Sequence, residues 1–237
     1  MKRLVCLASM IMAFGLAASG TARAQNGSIT GKVLYEGTAP TFKKIKMNAD
    51  PVCKMAHSEA VYPESVVVNG NGTLRWVMVY VKEGVAGGFK PPAEPVVLDQ
   101  VGCMYNPHVF GVMAGQDIEI RNSDEVLHNI HSLPETNKAF NLAQPLKGLT
   151  SKKAFDKPEM PIRIKCDVHP WMNCYAGVFS HPFYAVTGED GSFAIKNLPP
   201  GDYVVETWHE TLGTQTHKVA VAAGETKSLD VSYKAGS

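Results

Sequence analysis

The chain has 237 residues, 45% of them hydrophobic and 19% charged, with a formal net charge of +1 at pH 7. This composition fits a globular protein of one large or two small domains. The near-neutral charge gives no reason to expect nucleic acid or an anionic membrane surface as partner, and no stretch approaches the ~20 apolar residues needed to span a bilayer.

Lys2 and Arg3 precede an apolar run over residues 4–18, followed by Gly20-Thr21-Ala22-Arg23-Ala24. A charged start, a short apolar run and an A-x-A site predict a signal peptide over 1–24, cleaved after Ala24. Cys6 lies too near the start for a lipoprotein cleavage box and leaves with the signal. Loss of Lys2, Arg3 and Arg23 without any acid turns the net charge from +1 to −2. The expected product is soluble and exported to the periplasm.

Residues 28–35 alternate, with Ile29, Val33 and Tyr35 on one face of a strand that ends at Glu36-Gly37. Val52, Met55 and Ala56 allow one helical turn. Residues 66–68 and 74–81 flank Asn69-Gly70-Asn71-Gly72, a hairpin signal because positive φ costs little there. Gly87-Gly88-Phe89-Lys90-Pro91-Pro92 is a turn-rich break and marks a boundary. From Pro95 the strands read V-V-L-D-Q, H-V-F-G-V-M, D-I-E-I-R and V-L-H-N-I. A looser stretch over 134–157 precedes I-R-I-K-C. Short alternating runs between turn signals predict an all-β fold. Period two puts Ile162, Ile164 and Cys166 on one face, groups Val126, His128 and Ile130 likewise, and turns His131 away from His128.

Cys166, His169 and Met172 then fall within one run, C-D-V-H-P-W-M. A thiolate, an imidazole and a thioether at i, i+3 and i+6 can wrap one ion from a single tight loop, and His128 can close the site from a separate strand. Two imidazoles and a thiolate with a weak axial thioether form a blue-copper ligand set. Structural zinc takes four Cys/His ligands, often in C-x2-C pairs, and the chain has no such pair. The loop C-x2-H-P-W-M resembles the ligand loop of amicyanins, and N-S-D-E-V-L-H-N-I resembles the first-histidine segment of plastocyanins. The likeness to cupredoxins is strongest over residues 115–180. It implies one mononuclear type 1-like copper bound by His128, Cys166, His169 and Met172. It also implies that the His169 ring edge is exposed among Pro170 and Trp171, where a protein redox partner docks, and that Asn129 steadies the site from behind. His131 could supply an alternative axial group.

Four cysteines remain after the signal. With Cys166 on copper, an oxidising compartment favours a Cys53–Cys103 disulfide. Cys174 is left as a buried, inert thiol.

Residues 183–231 include F-Y-A-V-T-G-E-D-G-S-F-A-I-K-N-L-P-P-G-D-Y-V-V-E-T-W. Strand, D-G turn, strand and L-P-x-G-x-Y corner resemble the carboxypeptidase-regulatory-like, transthyretin-type sandwich. The opening I-T-G-K-V-L-Y-E-G-T-A-P resembles its first strand. The implied architecture is a Greek-key cupredoxin sandwich, residues 88–180, inserted into a second small sandwich made of 27–87 and 181–234. A tandem arrangement, with the first 85 residues completing the copper domain, is the alternative.

The expected function is carriage of single electrons through one copper. Copper reductases and oxidases place a His beside the ligand Cys, whereas Lys165 and Asp167 flank Cys166, so no enzyme is expected. Cys166 and Cys174 are too far apart for the C-x3-C of a binuclear centre. The alternative is a periplasmic copper chaperone or reservoir, although the methionines are scattered. A third reading makes the split sandwich a docking module, with Trp208-His209-Glu210 as its surface of interest.

Overall fold

The structure, a computed structural model, describes residues 25–235. The predicted signal peptide lies outside the described residues. Among the described residues the chain is almost entirely β. In order come β1 (Gly27–Glu36), a single short helix α1 (Pro51–Met55), β2 (Met78–Glu83), β3 (Val96–Val101), β4 (Met104–Asn106) and β5 (Val109–Met113). Then follow β6 (Ile118–Asn122), β7 (His128–Leu133), β8 (Asn141–Gln144), β9 (Thr150–Lys153), β10 (Glu159–Lys165) and β11 (Asn173–Phe179). The chain ends with β12 (Tyr184–Val186), β13 (Ser192–Leu198), β14 (Gly201–His209), β15 (Gly213–Val221), β16 (Thr226–Ser228) and β17 (Val231–Lys234). None of the described helices is long and apolar enough to cross a membrane.

Four sheets form two face-to-face pairs. In one pair, β1 lies between β13 and β16 and also pairs with β17, opposite the sheet β12-β2-β14-β15. The alternation read in residues 28–35 places Ile29 and Val33 inward, where they meet Leu74, Val79, Phe193, Ile195, Val205 and Tyr233. The hydroxyl of Tyr203 donates to the Pro199 carbonyl at 2.5 Å and fixes the corner that leads into β14. In the other pair, β5-β11-β10-β7-β8 packs on β4-β3-β6-β9. Its core holds Leu98, Tyr105, Ile120, Ile130, Phe155, Ile162 and Ile164. Each fully buried aliphatic side chain contributes roughly 1.5–3 kcal/mol, so these alternating faces carry most of the stability.

The strand pairings order the chain in space. β1 and β2 hydrogen-bond to strands from residue 184 onward, while β3 to β11 pair among themselves. A third apolar cluster of Met78, Val109 and Phe179, flanked by Tyr80, Tyr175, Tyr184 and Trp208, lies where the two pairs of sheets meet. Residues 45–61 do not follow β1. Ile45, Met47, Cys53 and Val61 join the core built from β3 to β11.

Two local expectations change. The run over 74–81 is broken at Trp76, whose φ of 67 is rare for a bulky residue, so β2 begins only at Met78. The turn before it forms as read, with Asn69 N–H donating to the Thr73 carbonyl at 2.8 Å and Gly72 at φ 79. The looser stretch over 134–157 contains two strands, β8 and β9. Both lie at sheet edges and have mostly exposed or half-buried side chains, so N-L-A-Q and T-S-K-K carry no apolar alternation to detect.

Candidate metal centre

β10 buries Ile162 and Ile164, and one step beyond its end the same face delivers Cys166. The chain then turns back on itself. Cys166 N–H donates to the Met172 carbonyl at 3.0 Å, and Met172 N–H donates to the His169 carbonyl at 3.0 Å. The seven-residue run is thus a closed loop, and β11 leaves it beside β10. β7 pairs with the other edge of β10 and presents His128 at its first residue.

These elements bring His128, Cys166 and His169 together, with one donor atom of each within 4.8 Å of the others. The two Nδ1 atoms of His128 and His169 are 3.0 Å apart, and Cys166 Sγ lies 3.9 Å from His169 Nδ1. All three side chains are buried, and Met172, in the same loop, is fully buried in the adjoining core. A buried charge must be paired, so this enclosed set of two imidazoles and a sulfur suits a soft cation.

A carboxylate fixes the His128 tautomer. Asp124 Oδ2 accepts from His128 Nε2 at 2.9 Å and from Cys103 N–H at 2.7 Å, while Oδ1 accepts from Gly102 N–H at 2.8 Å. A carboxylate can only accept, so the proton sits on Nε2 and the Nδ1 lone pair faces the cluster. Burial pushes the Asp124 carboxyl up, but His128 and the two backbone donors outweigh it and hold the group below its usual range. Burial also opposes ionisation of the Cys166 thiol. His128, when its ring carries a proton on both nitrogens, and hydrogen bonds from the backbone of Asn129, His169 and Val168 reverse that and favour the thiolate.

Asn129 stands behind the cluster as expected. Its Oδ1 accepts from Asp167 N–H at 2.6 Å and lies 3.3 Å from Cys166 Sγ, and its Nδ2 donates to Asn141 and Asp167. His131 is directed away from the cluster, its Nδ1 3.0 Å from Asp167 Oδ2. Cys174 is a free, fully buried thiol whose ionisation burial strongly disfavours.

The expected bare edge of His169 is corrected. His169 is only 3% exposed. Its Nε2 faces Cys53 Sγ at 3.5 Å and Asp50 Oδ2 at 3.6 Å. The cover is built by local rules. Asp50 caps α1 through Oδ1, accepting from Val52 and Cys53 N–H, and Pro51 stands at the first helical position. Cys53 is bonded to Cys103, the disulfide read from the sequence. Trp171 is half-buried beside His169, its Nε1–H donating to the Cys103 carbonyl at 3.0 Å.

Sequence reasoning missed Asp124 and Asp50. Asp124 precedes His128 by four residues, a spacing with no meaning in a strand, and Asp50 is over a hundred residues from His169. No periodicity could have found either.

Residues 179–234 match the model of the carboxypeptidase regulatory-like domain. No curated protein matches the chain. Solved structures similar to it include a purple cupredoxin from Nitrosopumilus maritimus, at 28% identity and a TM-score of 0.28, covering 32% of this chain and 81% of that one. The reduced state of an amicyanin mutant is similar at 17% identity and a TM-score of 0.32, over 42% of this chain and 97% of that one. A Cu-containing nitrite reductase from Thermus scotoductus SA-01 is similar at 21% identity and a TM-score of 0.32, over 42% of this chain; the match spans only 25% of the reductase. The two resemblances read from the sequence, to cupredoxins and to the carboxypeptidase regulatory-like sandwich, both recur in these comparisons.

Proposed function

We propose that the chain is an exported mononuclear copper protein that carries single electrons between redox partners and turns over no substrate. Its ligands are His128, Cys166, His169 and Met172. The observation that carries this reading is the convergence of two imidazole Nδ1 atoms and one sulfur in a buried pocket, with Asp124 holding His128 in the tautomer that ligation needs. Soft sulfur with imidazole suits copper, and the nearby carboxylate of Asp124 is engaged with His128 and two backbone amides.

Copper, when bound, supplies a one-electron Cu(I)/Cu(II) couple. The protein supplies rigidity. The 166–172 loop is closed by its own backbone bonds, and Asn129 ties it to β7 and β8, so the donors need not move between oxidation states. Residues 88–180 form the copper-bearing sandwich on this reading, inserted between residues 27–87 and 181–234 of the other, with residues 45–61 of the first segment packed onto the copper-bearing core. Residues 1–24 direct export to the periplasm, and a protein partner docks at the end of the molecule that holds His169 and Trp171.

Titrating the purified protein with copper tests the assignment. One equivalent should produce an intense thiolate-to-copper visible band, and Cys166→Ser should abolish it. Retention of colour and stoichiometry in that variant would overturn the ligand set. Ready transfer of the metal to an apo-acceptor, without a reversible redox couple, would favour the chaperone alternative.

A further inference from the structure

The nitrogen of His169 that points away from the metal donors is covered by residues 50–53, so a partner reaching this site meets the cover first. The chemistry of that cover is one-sided. Lys43, Lys44, Lys46 and Lys54 are all exposed and form no ion pair among the described residues. Asp50, the acid between them, is turned inward to His169 and α1. Glu59 is the exposed acid of this stretch, and Glu125, near His128, is engaged with Lys147 at 3.4 Å. Lys44, Lys46, Lys54, His57 and Glu59 line a surface groove. Apolar side chains accompany these cations at the same end. Met55 is 77% exposed two residues after Cys53, while Leu127 and Val168, next to His128 and His169, are 43% and 44% exposed. The predicted mature chain carries net negative charge, so this basic face is a local feature that the overall balance conceals.

We propose that the outer face of residues 43–59 is the docking surface for an acidic protein that exchanges electrons with the metal centre. The inference rests on the electron-carrier reading and names its partner by charge. Lysines around an apolar centre attract and orient an acidic partner, and Cys53, in contact with His169, places that partner against the cover of the site. Such steering weakens as salt rises.

The test uses the purified protein and its Lys44→Glu/Lys46→Glu/Lys54→Glu variant, whose changed residues are exposed. In low salt, polyglutamate should shift backbone amide resonances over residues 43–59, Leu127 and Val168, with binding at least tenfold weaker in the variant. Stopped-flow oxidation of the reduced protein by hexacyanoferrate(III) should be slowed at least tenfold by the substitutions, and that by cationic tris(phenanthroline)cobalt(III) should be accelerated. Polyglutamate shifts that cluster elsewhere, or a variant that binds as tightly, overturn the proposal, as does binding to phosphatidylglycerol vesicles with no response to polyglutamate. A silent stopped-flow signal in both proteins, with the resonance map as expected, would sink the electron-carrier reading and leave the acidic-partner surface standing.

Discussion

Cys53 Sγ lies 3.5 Å from His169 Nε2, so the outer nitrogen of a proposed ligand meets a disulfide instead of solvent. The contact joins two parts of the chain with different roles. Cys53 belongs to the segment that leaves β1, and His169 to the loop between β10 and β11. Through Cys103 the same disulfide reaches the backbone amide that Asp124 accepts, and Asp124 in turn orients His128. One covalent link therefore touches the surroundings of both histidines.

Removing the link should cost stability chiefly through the unfolded chain. The disulfide joins residues fifty apart, for which the loop-entropy estimate gives about 4 kcal/mol. Cys53→Ala/Cys103→Ala should lower the unfolding free energy by roughly 2–5 kcal/mol in denaturant titration. A loss below about 1 kcal/mol would show that the segment over residues 45–61 is held by its apolar contacts alone.

Asp124→Asn should weaken copper binding by roughly 10- to 100-fold, as substitutions behind a metal-ligating His do. The carboxylate accepts from His128 and from two backbone amides at once, and an amide cannot accept on both of its arms. Competition against a chelator of known affinity measures the effect. Unchanged affinity would mean that packing alone orients His128.

The metal loop and its opposing strand were legible because their signal is local. Cys166, His169 and Met172 lie within seven residues, and period two alone turned Cys166 and His128 inward. The Cys53–Cys103 pairing followed from compartment and elimination. The cover over His169 was not legible, since Asp50 and Cys53 reach it only through tertiary packing across more than a hundred residues. β8 and β9 escaped because edge strands with solvent on one face need no apolar alternation. Trp76 broke a strand that its neighbours promised, through a backbone angle that no propensity anticipates.

Tyr203→Phe isolates one hydrogen bond in the second sandwich. The ring is buried and its hydroxyl donates to the Pro199 carbonyl at 2.5 Å. Phe keeps the apolar packing and removes the donor, so the expected loss is about 0.5–1.5 kcal/mol. A loss beyond about 3 kcal/mol would imply that the corner leading into β14 rearranges.

His209 should make stability fall in mild acid. The ring is 1% exposed, and its Nδ1 accepts from Thr211 and Leu212 N–H in the turn between β14 and β15, a role open only to the neutral imidazole. Burial lowers its pKa to about 4, with Glu210 pulling upward and His108 adding to the decrease. The unfolded chain binds this proton near pH 6.5 while the folded chain refuses it until about 4. The contribution is therefore complete above pH 6.5, is lost as pH falls towards 4, and levels off below. At 1.36 kcal/mol per unit the loss is about 3 kcal/mol. Carboxylates titrate in part of the same window, so the measurement is the difference between the protein and His209→Gln, unfolded in denaturant at pH 7 and at pH 4. That difference should shrink by about 3 kcal/mol on acidification. Parallel pH curves would show that the folded protein accommodates a charged His209, and that its two backbone donors find other acceptors.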